Sequence, residues 1–180
     1  MPRFRINRLW PLGVALLVVV SDRFTKLAIQ NSMGSFDITP VIPGWLRIVH
    51  TENPGAAFGM LAEGNPILRS AVLIGVSSLV LCFIAATLWK SRWENTSLTS
   101  LLGLGLILGG AAGNLYDRIA HGTVTDFIEV FHGSWSFPAF NVADSAITVG
   151  AVLTFFVAIL PHAGRPQPGR TTDRPAGTPE

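Results

Sequence analysis

A group of carboxylates and amides follows the most glycine-rich apolar part of the sequence. Residues 103–144 begin with an apolar run, and six polar side chains then appear along it: Asn114, Asp117, Arg118, Asp126, Asn141 and Asp144. Polar groups beside apolar segments are costly to bury unless they are paired or take part in chemistry. These side chains are therefore the first candidates for a functional site.

Asp126 and Asp144 are the two carboxylates best placed for catalysis. They flank the junction between two hydrophobic regions, and consecutive elements are usually neighbours in space. When two carboxylates meet, both cannot ionise easily, so the pair holds one proton between them. The ionised group can take a proton from water while the protonated one polarises a peptide carbonyl and protonates the leaving amide. The pattern predicts a two-carboxylate peptidase site that needs no metal and no other cofactor.

The other charged groups of this region fit supporting roles. Asp117 stands next to Arg118 and three residues after Asn114, which favours a helix cap or an ion pair over catalysis. Asp22 and Lys26 are four residues apart, so on a helix they share one face and can pair. That pair either lets a helix end tolerate charge or braces a neighbouring polar site.

The composition indicates an all-α polytopic membrane protein. Of the 180 residues, 49% are hydrophobic and only 13% are charged, whereas a soluble domain carries about 25% charged residues. Four apolar stretches, at about residues 9–29, 67–89, 98–116 and 139–160, each approach the ~20 residues that cross a bilayer. We expect residues 1–160 to form one membrane peptidase domain. Residues 161–180 are rich in Pro, Gly and Arg and predict a disordered cytoplasmic tail.

Shorter patterns refine this architecture. Residues 45–51 alternate and are rich in β-formers, so they predict a short strand between the first two helices. Residues 117–138 are interpreted as a second outer loop. Gly105, Gly109 and Gly113 repeat every four residues, which predicts a helix face that a second helix approaches closely.

The basic residues predict the orientation in the membrane. The N-terminus, the segment after the second helix and the tail hold eight of the thirteen Lys and Arg residues. By the positive-inside rule, both termini are cytoplasmic and the candidate carboxylates lie toward the outer face. The net charge of +2 and the scattered basic residues do not indicate nucleic-acid binding.

Other function classes remain open at this point. A transporter or channel subunit could use Asp22, Asp126 and Asp144 as an ion path, but it would need polar groups at the membrane midplane. The inner halves of the predicted helices lack charges. A non-enzymatic assembly factor would not require two acids at one boundary. A zinc peptidase is not predicted, since no H-E-x-x-H motif occurs.

Five blocks of the sequence resemble the bacterial lipoprotein signal peptidase family, also called signal peptidase II. They are DRFTK at 22–26, NPGAAF at 53–58, GGAAGNLYDR at 109–118, VTDF at 124–127 and FNVADS at 140–145. The resemblance implies a four-helix membrane bundle with a small β-cradle from the first periplasmic loop. It also implies an aspartic endopeptidase of the inner membrane that removes signal peptides from diacylglyceryl-modified prolipoproteins, on the N-terminal side of the lipobox cysteine.

The resemblance also assigns roles to individual residues. It implies that Asp126 and Asp144 are the catalytic dyad. Substrate-binding or supporting roles fall on seven further residues: Asn53, Asn114, Arg118, Asn141, Asp22, Lys26 and Asp117. We expect the protein to be a monomer whose partners are prolipoproteins and membrane lipids.

Overall fold

The structure is a computed structural model that describes residues 9–55, 65–90 and 97–159. Its helices are α1 (Leu9–Ser32), α2 (Pro66–Lys90), α3 (Leu98–His121) and α4 (Val142–Ile159). Its strands are β1 (Ile38–Ile42), β2 (Leu46–Asn53), β3 (Val124–His132) and β4 (Trp135–Ser136). The predicted tail at residues 161–180 lies outside the described residues.

Apolar helices dominate the described chain, as the composition predicts. Three of them, α2, α3 and α4, are long and apolar enough to cross a membrane. Within the described ranges α1 is not among these candidates, since Asp22, Arg23 and Lys26 interrupt its second half. The membrane-type helical architecture is thus confirmed.

Helix α3 lies at the centre of the bundle because its glycines let its neighbours come close. A Cβ atom on Gly109 would lie 2.6 Å from the Ala15 carbonyl oxygen of α1. On the α4 side, a Cβ atom on Gly150 would lie 2.5 Å from the Gly103 carbonyl oxygen. Both distances are too short for any side chain, so the backbones themselves are in contact. The predicted packing face of Gly105, Gly109 and Gly113 is confirmed against α1, while other glycines of α3, Gly103 and Gly110, meet α4.

The region interpreted as a second outer loop is structured, and that interpretation is corrected here. Asp117 and Arg118 lie in the last turns of α3, which ends where Gly122 adopts a left-handed conformation with φ of 77°. The next residues form β3 and β4. Helix α4 begins at Val142, later than the predicted apolar segment, since Asn141 caps it.

A four-stranded antiparallel sheet in the order β1-β2-β3-β4 lies at the end of the bundle where α3 meets α4. Strand β2 confirms the strand predicted at residues 45–51. The β-cradle predicted from the first outer loop contains β1 and β2 from that loop, and β3 and β4, which follow α3, complete it. Strand β3 pairs with β2 so that Thr51 lies opposite Asp126 and Asn53 lies opposite Val124. This pairing brings two distant parts of the sequence together beside the helix ends.

Candidate active site

Asp126 lies on β3 with an amide donor on each carboxylate oxygen. The Asn53 side chain from β2 donates to Oδ2 at 2.9 Å, and the Asn141 side chain donates to Oδ1 at 2.7 Å. The residue is only 3% exposed. Burial, reinforced by the negative charge of Asp144 and opposed by both amide bonds, raises the pKa of Asp126 to about 7. Asp126 therefore carries a proton for much of the time at neutral pH.

Asn141 connects Asp126 to the start of α4. Its side-chain oxygen accepts a hydrogen bond from the Asp144 backbone N–H at 2.9 Å, and its own carbonyl accepts from the Ser145 N–H at 3.1 Å. This is the geometry of an N-cap, which satisfies an N–H group that the first helical turn leaves unpaired. Because the side-chain nitrogen of Asn141 donates to Asp126, Asn141 fixes the carboxylate on β3 relative to α4.

Asp144 lies in the first turn of α4, where the partial positive charge of the helix N-terminus favours an anion. Its Oδ1 accepts a hydrogen bond from the Asn114 side chain of α3 at 2.7 Å. Within the described part of the chain, no hydrogen bond reaches its other oxygen. Unlike Asp126, Asp144 is only half-buried. One oxygen is thus held in place while the other can accept a proton from a water molecule.

A buried lysine supports the amides behind the two carboxylates. The ammonium group of Lys26 donates to Asp22 and to Asp117, both at 2.7 Å, and to the Asn114 side-chain oxygen at 3.0 Å. Asp22 in turn accepts from the Ala143 backbone N–H of α4 at 2.9 Å. The predicted pairing of Asp22 with Lys26 is confirmed. The two side chains brace the neighbouring site, since they orient Asn114 and the first turn of α4.

Asp117 belongs to this supporting network. Besides Lys26, it accepts from Arg23 of α1 at 3.3 Å. The suggested partner Arg118 instead donates to the Asn114 carbonyl at 3.3 Å. Asp117 is thus placed in an ion pair between α1 and α3.

Arg118 supplies positive charge near the carboxylates. It is half-buried in the last turns of α3. Its guanidinium interacts electrostatically with three carboxylates: Asp144, Asp126 and Asp117. Its position allows it to stabilise negative charge that develops beside the pair.

A second polar network, which no sequence pattern predicted, lies on the other face of the sheet. Glu52 pairs with Thr125 across the strands and accepts its hydroxyl hydrogen bond at 2.8 Å. Glu52 also accepts from Thr123 at 2.6 Å and lies 3.3 Å from a ring nitrogen of His50. The only available signal was alternation along β2, in which His50 and Glu52 share one face while Asn53 points to the other.

The arrangement as a whole suits proton transfer. Asp126 is buried with two amide donors, Asp144 has an oxygen without a hydrogen bond from the described residues, and Asn114 and Asn141 link the two. The described residues contain no cluster of three His, Cys, Asp or Glu side chains able to hold a metal ion. Two carboxyl groups in such different surroundings are able to take up and release protons.

Comparison with known proteins identifies the family. The profile of the signal peptidase (SPase) II family matches residues 14–160. A lipoprotein signal peptidase of Solibacter usitatus is 42% identical over 149 residues, which cover 83% of this chain and 90% of that protein. A lipoprotein signal peptidase of Pseudomonas fluorescens is 42% identical over 153 residues, covering 83% of this chain and 86% of that protein.

A solved structure agrees with this comparison. A bacterial membrane enzyme determined by the in meso method at 1.9 Å resolution has a TM-score of 0.71 and 32% identity, and the match covers 83% of this chain and 92% of that chain. The chain belongs to the signal peptidase II family. Family membership makes it a peptidase of lipoprotein processing.

Proposed function

We propose that this protein is an aspartic endopeptidase that removes signal peptides from diacylglyceryl-modified prolipoproteins. It cuts on the N-terminal side of the lipidated lipobox cysteine, and Asp126 and Asp144 activate the attacking water. The observation that carries the proposal is the amide link between the two carboxylates. Asn141 donates to Asp126 while Asn114 donates to Asp144, and the two asparagines lie within 3.4 Å of each other through Nδ2 and Oδ1.

The two carboxylates take different roles in the proposed reaction. Asp126, with its pKa raised to about 7, holds the proton and donates it toward the scissile carbonyl. Asp144, through the oxygen that has no hydrogen bond from the described residues, accepts a proton from the attacking water. Asp126 then gives its proton to the nitrogen of the tetrahedral intermediate, the oxyanion re-forms a carbonyl as the C–N bond breaks, and the proton from water remains on Asp144. Arg118 lies where it can offset the negative charge that develops on the former carbonyl oxygen.

The location of the site supports a lipidated substrate. Asp126 lies on β3, a few residues after the end of α3, and Asp144 lies in the first turn of α4, so neither is in the middle of an apolar helix. A peptide anchored by diacylglycerol has its lipid chains in the bilayer, since each buried CH₂ contributes about 0.8 kcal/mol. Its cleavage site is therefore held near the headgroups. Relatives named lipoprotein signal peptidases support the same substrate class.

The proposal includes four membrane spans in the bacterial inner membrane, with α1 as the first. Asp22, Arg23 and Lys26 together exclude α1 from a composition-based assignment, but Asp22 and Lys26 are only 2% and 0% exposed, and Arg23 pairs with Asp117. Because they face the bundle and pair there, their charges do not meet lipid. Both termini are then cytoplasmic, and the site faces the periplasm. The proposal also includes a monomer.

The test is cleavage of a diacylglyceryl-modified prolipoprotein by Asp126→Asn, Asp144→Asn and Asp117→Asn. Each substitution keeps the side-chain shape but removes a group that can carry or accept the proton. The first two variants are expected to lose roughly 10²–10⁴-fold in turnover, the range of general acid–base catalysis. Asp117→Asn keeps measurable turnover with lower thermal stability, because it weakens an ion pair. Normal cleavage by either of the first two folded variants would remove that carboxylate from the dyad.

A further inference from the structure

The network behind the β2–β3 ladder lies next to the proposed dyad. In an antiparallel pair, directly opposed residues point to the same face and neighbouring residues to opposite faces. Thr51 opposes Asp126, and Glu52 opposes Thr125. Asp126 and its donor Asn53 therefore occupy one face, while Glu52 and Thr125 occupy the other, directly behind the carboxylate.

Thr125 is held from two sides. Its hydroxyl donates to Glu52 at 2.8 Å and accepts from the Gln30 side chain of α1 at 2.7 Å. Thr125 is 2% exposed, and its carbonyl accepts from Asn141 at 3.4 Å. The peptide unit that precedes Asp126 is thus attached both to α1 and to the asparagine that donates to Asp126.

His50 anchors the other end of this network at a β-bulge. Between the pairs Ile48↔Ile128 and Thr51↔Asp126, strand β2 has two residues where β3 has one. Such bulges redirect the side chains that follow them. The bulge residue His50 is bound through its carbonyl to the Phe36 N–H at 3.0 Å and through Nδ1 to the Met33 carbonyl at 2.9 Å.

The ring of His50 has a partner at each nitrogen. Nδ1 lies 2.9 Å from the Met33 carbonyl oxygen, and Nε2 lies 3.3 Å from Glu52 Oε1. Partial burial opposes ionisation of Glu52, but hydrogen bonds from Thr123, Thr125 and His50 outweigh it and lower its pKa. The two contacts fix the orientation of the ring and connect it to Glu52.

We propose that His50 and Glu52 form a pair of positioning residues for Asp126 and act on it through Thr125. The pair fixes the bulge and the Thr51↔Asp126 register, and so keeps the amides of Asn53 and Asn141 directed at the Asp126 oxygens. The inference rests on the proposed function, because positioning matters only if Asp126 takes part in the reaction.

A double-mutant cycle with Glu52→Gln and Thr125→Val tests the connection. Each variant alone is expected to lower kcat about tenfold and to leave KM within about twofold, since substrate contacts are untouched. The double variant should be no worse than Glu52→Gln alone, because both changes break one connection. The matched control is Glu129→Gln, which removes the Arg47 ion pair between the same two strands, at 2.7 Å, on the other side of the bulge. It should leave kcat unchanged.

One nuclear magnetic resonance measurement needs no substrate. Thr125→Val changes no charge. A rise in the pH at which Asp126 loses its proton, measured through its carboxyl ¹³C shift, would therefore report weaker hydrogen bonds from the amides alone. If the unaltered protein did not cleave the prolipoprotein, the proposed function would fail. The titration of Asp126 would still test whether Thr125 positions it. An unmoved Asp126 titration, or a fall in kcat in Glu129→Gln as large as in Glu52→Gln, would overturn the inference.

Discussion

At the scale of single residues, Asp126 predicts how activity depends on pH. The proposed reaction needs its proton, and burial raises the pKa of Asp126 to about 7. We therefore expect kcat/KM to fall about tenfold per pH unit above that value, since this ratio reports ionisations of the free enzyme. The measurement is cleavage of a lipidated prolipoprotein from pH 5 to pH 9. A rate that stays constant to pH 9 would contradict the proton-donating role.

The same carboxylate predicts a pH dependence of stability. Its pKa rises from an ordinary 3.8 to about 7 on folding, so between these values the folded state binds more protons than the unfolded state. The free energy of unfolding therefore decreases as pH rises through that window, by on the order of 4 kcal/mol. Asp126→Asn should lack this contribution. The melting temperatures of both proteins are compared in detergent at pH 4.5 and pH 7.5. An equal change in the two proteins would contradict this contribution of Asp126.

Lys26 predicts the largest single loss of stability among the site residues. Lys26→Met would leave Asp22 and Asp117, each 2% exposed, without their shared cation. Removing one partner of a buried ion pair costs roughly 3–5 kcal/mol. The control is Arg47→Met, which breaks a partly exposed pair and should cost much less. Equal losses in unfolding experiments would mean that the Lys26 network contributes little.

At the scale of elements, the contact between α1 and α3 determines where the supporting network lies. Gly109→Ala would place a Cβ atom 2.6 Å from the Ala15 carbonyl, so the helices must separate. We expect a loss of roughly 1–3 kcal/mol, as in other overpacked sites, and lower turnover as Lys26 moves away from Asn114. Gly13→Ala on α1 is the matched control, because nothing lies within 4 Å of its added Cβ atom. A comparable melting temperature and activity for both variants would contradict this account.

Patterns within short segments of the sequence predicted those elements that do not depend on pairing with distant segments. The apolar stretches gave α2, α3 and α4, and glycine spacing gave the packing face of α3. Strand β3 was missed because its stability comes from pairing with β2, more than seventy residues earlier in the chain. Such pairing depends on tertiary context rather than on intrinsic preference. For the same reason, the cradle was assigned to one loop when it needs two.

At the scale of the whole molecule, residue types indicated the site but not its connections. Asp126, Asp144 and the amides were identifiable because polar groups stand out beside apolar segments. The roles of His50 and Thr125 were not, because a single extra residue in β2 decides which side chains meet β3. A shift of one residue in register exchanges the two faces of a strand.

The orientation of the whole molecule is the last prediction. If α1 spans the membrane, an N-terminal epitope tag is cytoplasmic, while the turn between β3 and β4 is periplasmic. In a Cys82→Ser background, which removes the single native cysteine, Ser134→Cys should react with an impermeant maleimide in intact cells. Thr99→Cys, exposed at the start of α3, should react only after the inner membrane is permeabilised. The tag should be digested by protease only after the same treatment. A periplasmic tag together with a reactive Ser134→Cys would show that α1 does not cross the bilayer, because residues on both sides of it would then face the same compartment.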